Sequence, residues 1–491
     1  MLLSELINGN DTVSEVDIVG LSSDSREIRP GYLFAALSGT QADGANFIDD
    51  AIRQGAVAVL VQPDVANRYT DDVADETVQL VADINPRRRL AFMAARFYPR
   101  QPETVVAVAG TNGKTSVVSF ARQIWEQLGF RAASLGTVGV DGTHADRRLE
   151  HTTPEPVELH MLIDRMVGDG VDHLAMEASS HGLDQYRLDG VRVTAAGFTN
   201  LTRDHLDYHR DAEDYLYAKI RLFGEVMAPG GIAVLNADDP AFDDFEDICW
   251  ARGHRIIRVG RGGADLRLVE QVPGRDGQAL TVEWQGTEHQ IDLPLIGDFQ
   301  ATNALVAAVL VIATGSDARD VFSACELLEG SPGRMELVER HSTGAPIFVD
   351  YAHTPDALES VLNALRPHTA GHLSVVFGCG GDRDPGKRPQ MGKIAAGLAD
   401  AVVVTDDNPR DEDPAKIRAE ITAAAPGATE IAERGAAIRF AITALQQGDV
   451  LVIAGKGHET GQIVRGVSSP FDDAGQVRDA LAELKEGLND V

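Results

Sequence analysis

Basic residues are in short supply. Lys and Arg number 44 against 75 Asp and Glu, giving a formal net charge of −31 at pH 7. Nucleic-acid binding is disfavoured on that balance, because neutralising phosphates needs a surplus of Lys and Arg. An anionic membrane surface is disfavoured for the same reason. An anionic small substrate stays open where the few basic residues gather locally. Lysine is the scarcer of the two, and most of it falls in motifs, at Lys114, Lys219, Lys387 and Lys456. Cysteine is scarcer still. Cys249, Cys325 and Cys379 form no CxxC pair and are odd in number, so no disulfide framework is expected and a reducing cytoplasm fits. The longest apolar run, near Ala304 to Ala313, is too short to span a bilayer. The first residues, MLLSELINGN, have neither a basic stretch nor a long apolar one, so no signal peptide is expected.

Aromatics make up only 5%, yet apolar residues reach 44%, enough to bury real cores. A chain of 491 residues is too long for one core, and about three domains are expected. Residues 1–100 mix short apolar runs with turn signals and predict a small α/β domain, ending in a helix over Arg87 to Tyr98 and a PRQPE linker. Residues 101–333 alternate strand and helix patterns. Strands are expected at Thr104 to Ala109, His173 to Met176, Ala195 to Phe198 and Ile232 to Leu235, with a helix from about Ser116 to Gly129. Residues 334–491 repeat the habit, with strands at Pro346 to Asp350, Ser374 to Phe377, Ala401 to Thr405 and Val450 to Ala454. The expected class is α/β: a small N-terminal domain, a central mostly parallel sheet of P-loop type and a Rossmann-like C-terminal domain. Ligands of such sheets bind beyond the carboxyl ends of the strands.

The first of those ends carries Gly110-Thr111-Asn112-Gly113-Lys114-Thr115, between an apolar strand and a helix. Backbone N–H groups at a helix start attract phosphate, Lys114 can reach the terminal phosphates, and the Thr115 hydroxyl suits Mg²⁺. The strict GxxxxGK[ST] pattern fails, since Val108 holds its first glycine position. The string GTNGKTS instead resembles the ATP loop of the Mur ligase family and of its relative folylpolyglutamate synthase. The stretches that follow agree in order. Glu177 ends the strand of MEASSHGLDQYR, similar to the family's MEVSSHGL; TNLTRDHLDYH follows; Lys219 lies in YLYAKIRLF, similar to YxxAKxxLF. A zinc reading of His205 and His209, four residues apart, fails for want of HExxH.

The resemblance implies roles. Glu177, His205 and Thr115 would hold Mg²⁺ with Lys219 as a carbamate, while His209 would be structural. A bare ammonium beside two cations would repel them, whereas a carbamate supplies an anionic oxygen. Asn303, in GDFQATNALVAA, would contact adenine; Arg334, in SPGRME, would stabilise phosphate charge; Asp350, in VDYAHTPD, would contact ribose; His353 would order that loop. In the first domain Ser25 of DSR and Gln41 and Ala42 of GTQADG resemble the family's uridine-diphosphate region, with Thr40 where His is frequent. Thr152 and Thr153 of HTTPEP, together with Ser179, Gln185 and Arg187, resemble muramoyl-peptide contacts, with His151 in place of a frequent Asn.

The last domain would choose the amino acid. Asp407-Asn408-Pro409-Arg410 resembles the sequence of members that add meso-diaminopimelate, and lysine-adding members lack that Arg. Charge agrees: Arg410 and Arg383 suit the distal carboxylate, while Gly455 and Glu459, in GKGHE, suit the distal ammonium. The expected activity is therefore ATP-dependent addition of meso-diaminopimelate to UDP-N-acetylmuramoyl-L-alanyl-D-glutamate through an acyl phosphate, in peptidoglycan precursor synthesis, by a cytoplasmic monomer. The expected catalytic set is Lys114, Glu177, His205, Lys219 and Arg334. Rival readings are a lysine-adding ligase, folylpolyglutamate synthase and a non-catalytic nucleotide-binding regulator.

Overall fold

The computed structural model describes residues 1–7, 16–39, 42–69, 78–142, 149, 151–202, 204, 208–262, 265–274 and 276–489. Three sheets organise them. The first is all-parallel, in the order β1 (Gly20–Ser22), β2 (Tyr32–Ala35), β3 (Ala56–Val61), β4 (Gln79–Ala82). The helix Pro86–Phe97 starts with proline behind an Asn85 cap and lays Leu90, Met93 and Ala94 on Leu33, Ala58 and Leu60.

The central sheet has ten strands. Its parallel part orders β12 (Leu266–Pro273), β11 (Arg255–Gly260), β10 (Ile232–Asn236), β9 (Ala195–Phe198), β5 (Thr104–Ala109), β8 (His173–Glu177) and β6 (Ala132–Gly136). β5 lies inside the sheet and is buried along its whole length, which is why it reads as an unbroken apolar run. The apolar run near residue 304 is a helix, Asp298–Ala313, packed against the helix Lys114–Gln127 and the sheet. No described helix is long and apolar enough to cross a membrane. One edge carries an antiparallel pair not foreseen from sequence, β13 (Gln278–Trp284) and β14 (Thr287–Leu293), and the other carries β7 (Gly139–Asp141).

The third sheet orders β15 (Glu336–Arg340), β16 (Pro346–Asp350), β20 (Val450–Ala454), β17 (Leu373–Phe377), β18 (Ala401–Val404) and β19 (Thr429–Glu430), parallel except for β15. Apolar cores cover both its faces. A separate hairpin pairs β21 (Gly461–Val464) with β22 (Val467–Pro470).

Behind this sheet Arg434 and Asp473 form a fully buried ion pair at 2.7 Å. Arg434 also donates to the Ala454 carbonyl at 3.0 Å, where β20 ends. Removing one partner of such a pair strands a charge in the interior. Asp473→Ala is therefore expected to lose about 3–5 kcal/mol of unfolding free energy in urea titration. A loss under about 1 kcal/mol would show that the pair is not needed for stability.

Candidate active site

The loop after β5 is held by hydrogen bonds to the Thr199–Asn200 segment. The N–H of Thr111 donates to the Asn200 carbonyl at 2.8 Å, and that of Asn112 to Asn200 Oδ1 at 2.9 Å. Thr199 Oγ1 donates to the Asn112 carbonyl at 2.6 Å. Lys114 Nζ folds back onto the carbonyls of Gly110 and Thr111, each at 2.8 Å. Gly113 has φ +86°, and a Cβ there would lie 2.3 Å from Asn303 Oδ1. Only glycine relieves both constraints, so the loop can wrap a phosphate while touching the helix of Asn303. Gly113→Ala is expected to weaken nucleotide binding by about tenfold in calorimetric titration, the effect of about 1–3 kcal/mol of local strain. Unchanged affinity would mean that Asn303 yields freely.

Glu177 closes β8 and is 1% exposed. Its Oε1 accepts Thr115 Oγ1 at 2.9 Å and the Thr137 N–H at 2.8 Å, and its Oε2 accepts Thr137 Oγ1 at 3.1 Å. Lys219 is also 1% exposed, so it does not lie on the solvated helix face usual for lysine. Its Nζ donates to the Gly110 carbonyl at 2.7 Å and lies 4.2 Å from the centre of the Tyr215 ring. Burial, reinforced by the nearby Lys114, holds its amine well below the usual lysine range. Burial lowers Lys114 as well, against the opposing pull of Glu177 and Asp204. His205 and Gln41 lie outside the described residues. His209 is buried beside Tyr215, and its Nδ1 is 3.6 Å from Asp214.

A cavity of ≈ 350 Å³ gathers Lys114, Thr115, Glu177 and Lys219 with groups from the third domain. Arg334 lays its guanidinium over the Tyr351 ring at 4.3 Å. Asp350, at the end of β16, accepts the N–H groups of Met335 and Ala352 at 2.7 Å each. Burial pushes its carboxyl up, opposed by Arg334. Asn303 and Phe299 complete the wall. His353 is buried, its imidazole pushed down to about 4 by desolvation and then by Lys387, and its Nδ1 is 2.8 Å from the Tyr351 carbonyl. A value that low keeps it neutral at physiological pH, and Lys387 Nζ donates to its carbonyl at 2.9 Å.

The five substrate residues expected in the central domain form one network. Ser179 Oγ donates to Thr153 Oγ1 at 3.0 Å, and Thr153 Oγ1 donates to the Glu177 carbonyl at 3.0 Å. Arg187 reaches the Thr153 carbonyl at 2.7 Å, Gln185 Oε1 at 2.8 Å and Glu155 at 2.7 Å. Thr152 Oγ1 lies 3.0 Å from Thr137 Oγ1. Thr153 is 1% exposed and braces the end of β8. Ser25, in a short 3₁₀ turn, and exposed Ala42 line neither large cavity.

A second cavity, ≈ 510 Å³, opens between the central and third domains. Asn408, Arg410 and Glu459 line it, whereas Asp407, Gly455 and the exposed Arg383 do not. Asn408 Nδ2 donates to Glu459 Oε2 at 2.8 Å. Arg410 has φ +49° and is held by its N–H to the Ile463 carbonyl (3.1 Å) and by the Arg465 N–H to its own carbonyl (2.7 Å). Its Nη1 rests on the Gly381 carbonyl at 2.8 Å. At the junction the backbones of two loops meet: a Cβ on Gly333 would lie 2.1 Å from the His458 nitrogen. Thr137 lines both cavities, and sequence reasoning missed it. It sits in an uncharged LGTVG turn that offers no signal of its own. Tyr351 was likewise overlooked beside Asp350.

Three α/β domains joined around a phosphate loop, a buried lysine and a cleft define a class, and the chain belongs to the Mur ligase family. Residues 17–98 match the family's "catalytic domain" model, 108–311 its middle domain and 333–457 its glutamate ligase domain. Over 493 residues the chain is 54% identical to the UDP-N-acetylmuramoyl-L-alanyl-D-glutamate–2,6-diaminopimelate ligase of Bradyrhizobium diazoefficiens, covering 98% of this chain and 99% of the relative. The enzyme of that name from Agrobacterium fabrum is 51% identical, covering 99% and 96%. A solved structure of an enzyme of the same name aligns over 99% of both chains, with 32% identity and a TM-score of 0.72.

Proposed function

We propose that this chain is an ATP-dependent ligase that joins meso-diaminopimelate to the D-glutamyl γ-carboxylate of UDP-N-acetylmuramoyl-L-alanyl-D-glutamate. The observation that carries the reading is the second cavity, where Arg410 and Glu459 offer one cation and one anion to a side chain ending in a carboxylate and an ammonium. The names of full-length relatives support the same substrates.

The γ-carboxylate oxygen attacks the terminal phosphorus of ATP, and ADP leaves. The amine of diaminopimelate then attacks the acyl carbon, loses a proton and expels phosphate. Loop N–H groups and Lys114 bind the phosphates; Arg334 faces the transferring group, its Nε buried and unpartnered among the described residues. Asn303 and Asp350 take adenine and ribose. Ser25, Gln41 and Ala42 take the uridine diphosphate; Thr152, Thr153, Ser179, Gln185 and Arg187 take the muramoyl peptide; and Asn408, Arg410 and Glu459 take the amino acid, with Arg383, Asp407 and Gly455 supporting them from outside the cavity lining. Thr115 and Glu177 present hard oxygens that fit Mg²⁺, with His205 and a carbamate on Lys219 as further ligands. When bound, the ion neutralises phosphate charge. Burial lowers the pKa of Lys219 and so favours the neutral amine, the form that adds CO₂ to give the carbamate and a proton. Residues 1–100, 101–333 and 334–491 accordingly serve as UDP-sugar, ATP and amino-acid domains.

The test is phosphate release by purified protein with ATP, Mg²⁺ and the UDP-muramoyl dipeptide, with meso-diaminopimelate or L-lysine added in parallel. Release with diaminopimelate alone, and a UDP-tripeptide by mass spectrometry, is expected. Release with lysine alone overturns the specificity, and release with neither overturns the ligase reading.

A further inference from the structure

Lys456 is fully buried in the loop after β20. Its ammonium donates to Asn408 Oδ1 at 3.0 Å and to Glu459 Oε2 at 3.1 Å. Asn408 Oδ1 also accepts the Ile463 N–H at 2.9 Å. Two donors on that oxygen fix the orientation of the amide, so its nitrogen faces Glu459 Oε2 at 2.8 Å. Glu459 Oε2 therefore accepts from both Lys456 Nζ and Asn408 Nδ2. Asn408 and Glu459 line the amino-acid cavity, and Lys456 stands behind them.

The four charged groups nearest this floor balance, while the wider lining adds one net negative charge. Arg410 and Lys456 are formally positive, Asp407 and Glu459 formally negative. Asp407 is buried beside the same loop, 2.7 Å from the Cβ that Gly455 lacks. The remaining charged lining groups, Glu336, Asp472 and Arg478, come from β15 and the start of the last helix. Without Lys456 the floor would hold two carboxylates against one guanidinium. A floor of that sign attracts a side chain ending in an ammonium alone, whereas a balanced floor matches one ending in both charges.

We propose that Lys456 is a specificity-determining positioning residue: its buried ammonium fixes Asn408 and Glu459 and cancels one carboxylate, so that the cavity takes a zwitterionic side-chain end and disfavours a simple cation. The proposal rests on the reading of the second cavity as the diaminopimelate site.

The test compares the parent with Lys456→Met, which removes charge and hydrogen bonds, and Lys456→Gln, which removes the charge and keeps polarity. The expected result is a KM for meso-diaminopimelate raised about 30-fold, the scale of losing one partner of a buried charge pair. The KM for ATP should stay within about twofold, and the kcat/KM preference for diaminopimelate over L-lysine should fall by about tenfold or more. A purely structural role would move all substrates together. If both variants fail to fold, Glu459→Gln decides, because it leaves Lys456 uncompensated. Its kcat/KM for 2-aminopimelate, which has the distal carboxylate but no ammonium, should then rise above that of the parent. A preference held within about threefold in the folded Lys456 variants, or no gain with 2-aminopimelate where only Glu459→Gln folds, overturns the proposal. A parent that turns over no diaminopimelate overturns the functional reading instead.

Discussion

Lys219→Met is expected to lower turnover about 10³-fold, the scale of losing one preorganised charged group at a phosphoryl-transfer centre, and to leave the protein at least as stable as its parent. The two halves of that result have one cause. Lys219 is 1% exposed, and its hydrogen bond goes to the Gly110 carbonyl rather than to a carboxylate. Carrying an ammonium there costs several kcal/mol, and Met fills a similar volume without it. Gly110 keeps Lys114 as a donor at 2.8 Å, so no carbonyl is stranded. The sign with pH follows. Because the folded-state value is depressed below the ordinary 10.5, the unfolded chain binds more protons between the two values. Parent stability in CO₂-free buffer therefore rises with pH across that window, and the advantage of the Met variant shrinks as pH approaches 10.5. Urea titrations near neutrality and near pH 10 read the difference. Intact mass of the parent, equilibrated with bicarbonate, should show one added CO₂ that the variant lacks. A variant with more than about a tenth of parental turnover would remove Lys219 from the mechanism.

Arg410→Ala is expected to raise the KM for meso-diaminopimelate about 100-fold with much smaller change for ATP, because a bidentate guanidinium–carboxylate contact is worth about 2–3 kcal/mol where water is excluded. Arg410→Lys should recover only part of the loss, since an ammonium cannot present the paired donors. The backbone does not confound the comparison. Arg410 has φ +49°, and Arg, Lys and Ala all pay for that conformation alike. Steady-state titration of the amino acid in each variant is the measurement. A KM raised equally for L-lysine would mean that Arg410 supports the loop instead of reading the carboxylate.

Much of the fold was legible because parallel strands covered on both faces must be apolar throughout. Thr104–Ala109, Ala195–Phe198, Pro346–Asp350 and Val450–Ala454 have the limits expected from their runs. The antiparallel strands Gln278–Trp284 and Thr287–Leu293 were not, because continuous apolar runs were taken as the strand signal and these two carry the polar–apolar alternation of strands covered on one face. In the site, only the loop of Lys114 stood out by its own residues; Glu177, Lys219 and Arg410 were singled out by the family resemblance, and the structure brings the first two to the cavity of Lys114 and Arg410 to the second. Burial was not legible. Nothing in YLYAKIRLF says that Lys219 is sealed from water, nor in HTTPEP that Thr153 is a brace. Arg187 suited an anion by charge, yet the structure pairs it with Glu155 across the chain. Thr137 was invisible because its importance lies in its position between two cavities.

That position has a consequence for fuel economy. The two chambers adjoin at a threonine whose N–H and hydroxyl are both engaged by Glu177. On the proposed reading, the acyl phosphate and the attacking amine would meet where the two cavities share this threonine. On that reading, a smaller residue at 137 is expected to raise the ATP consumed per amide bond formed before it lowers the rate.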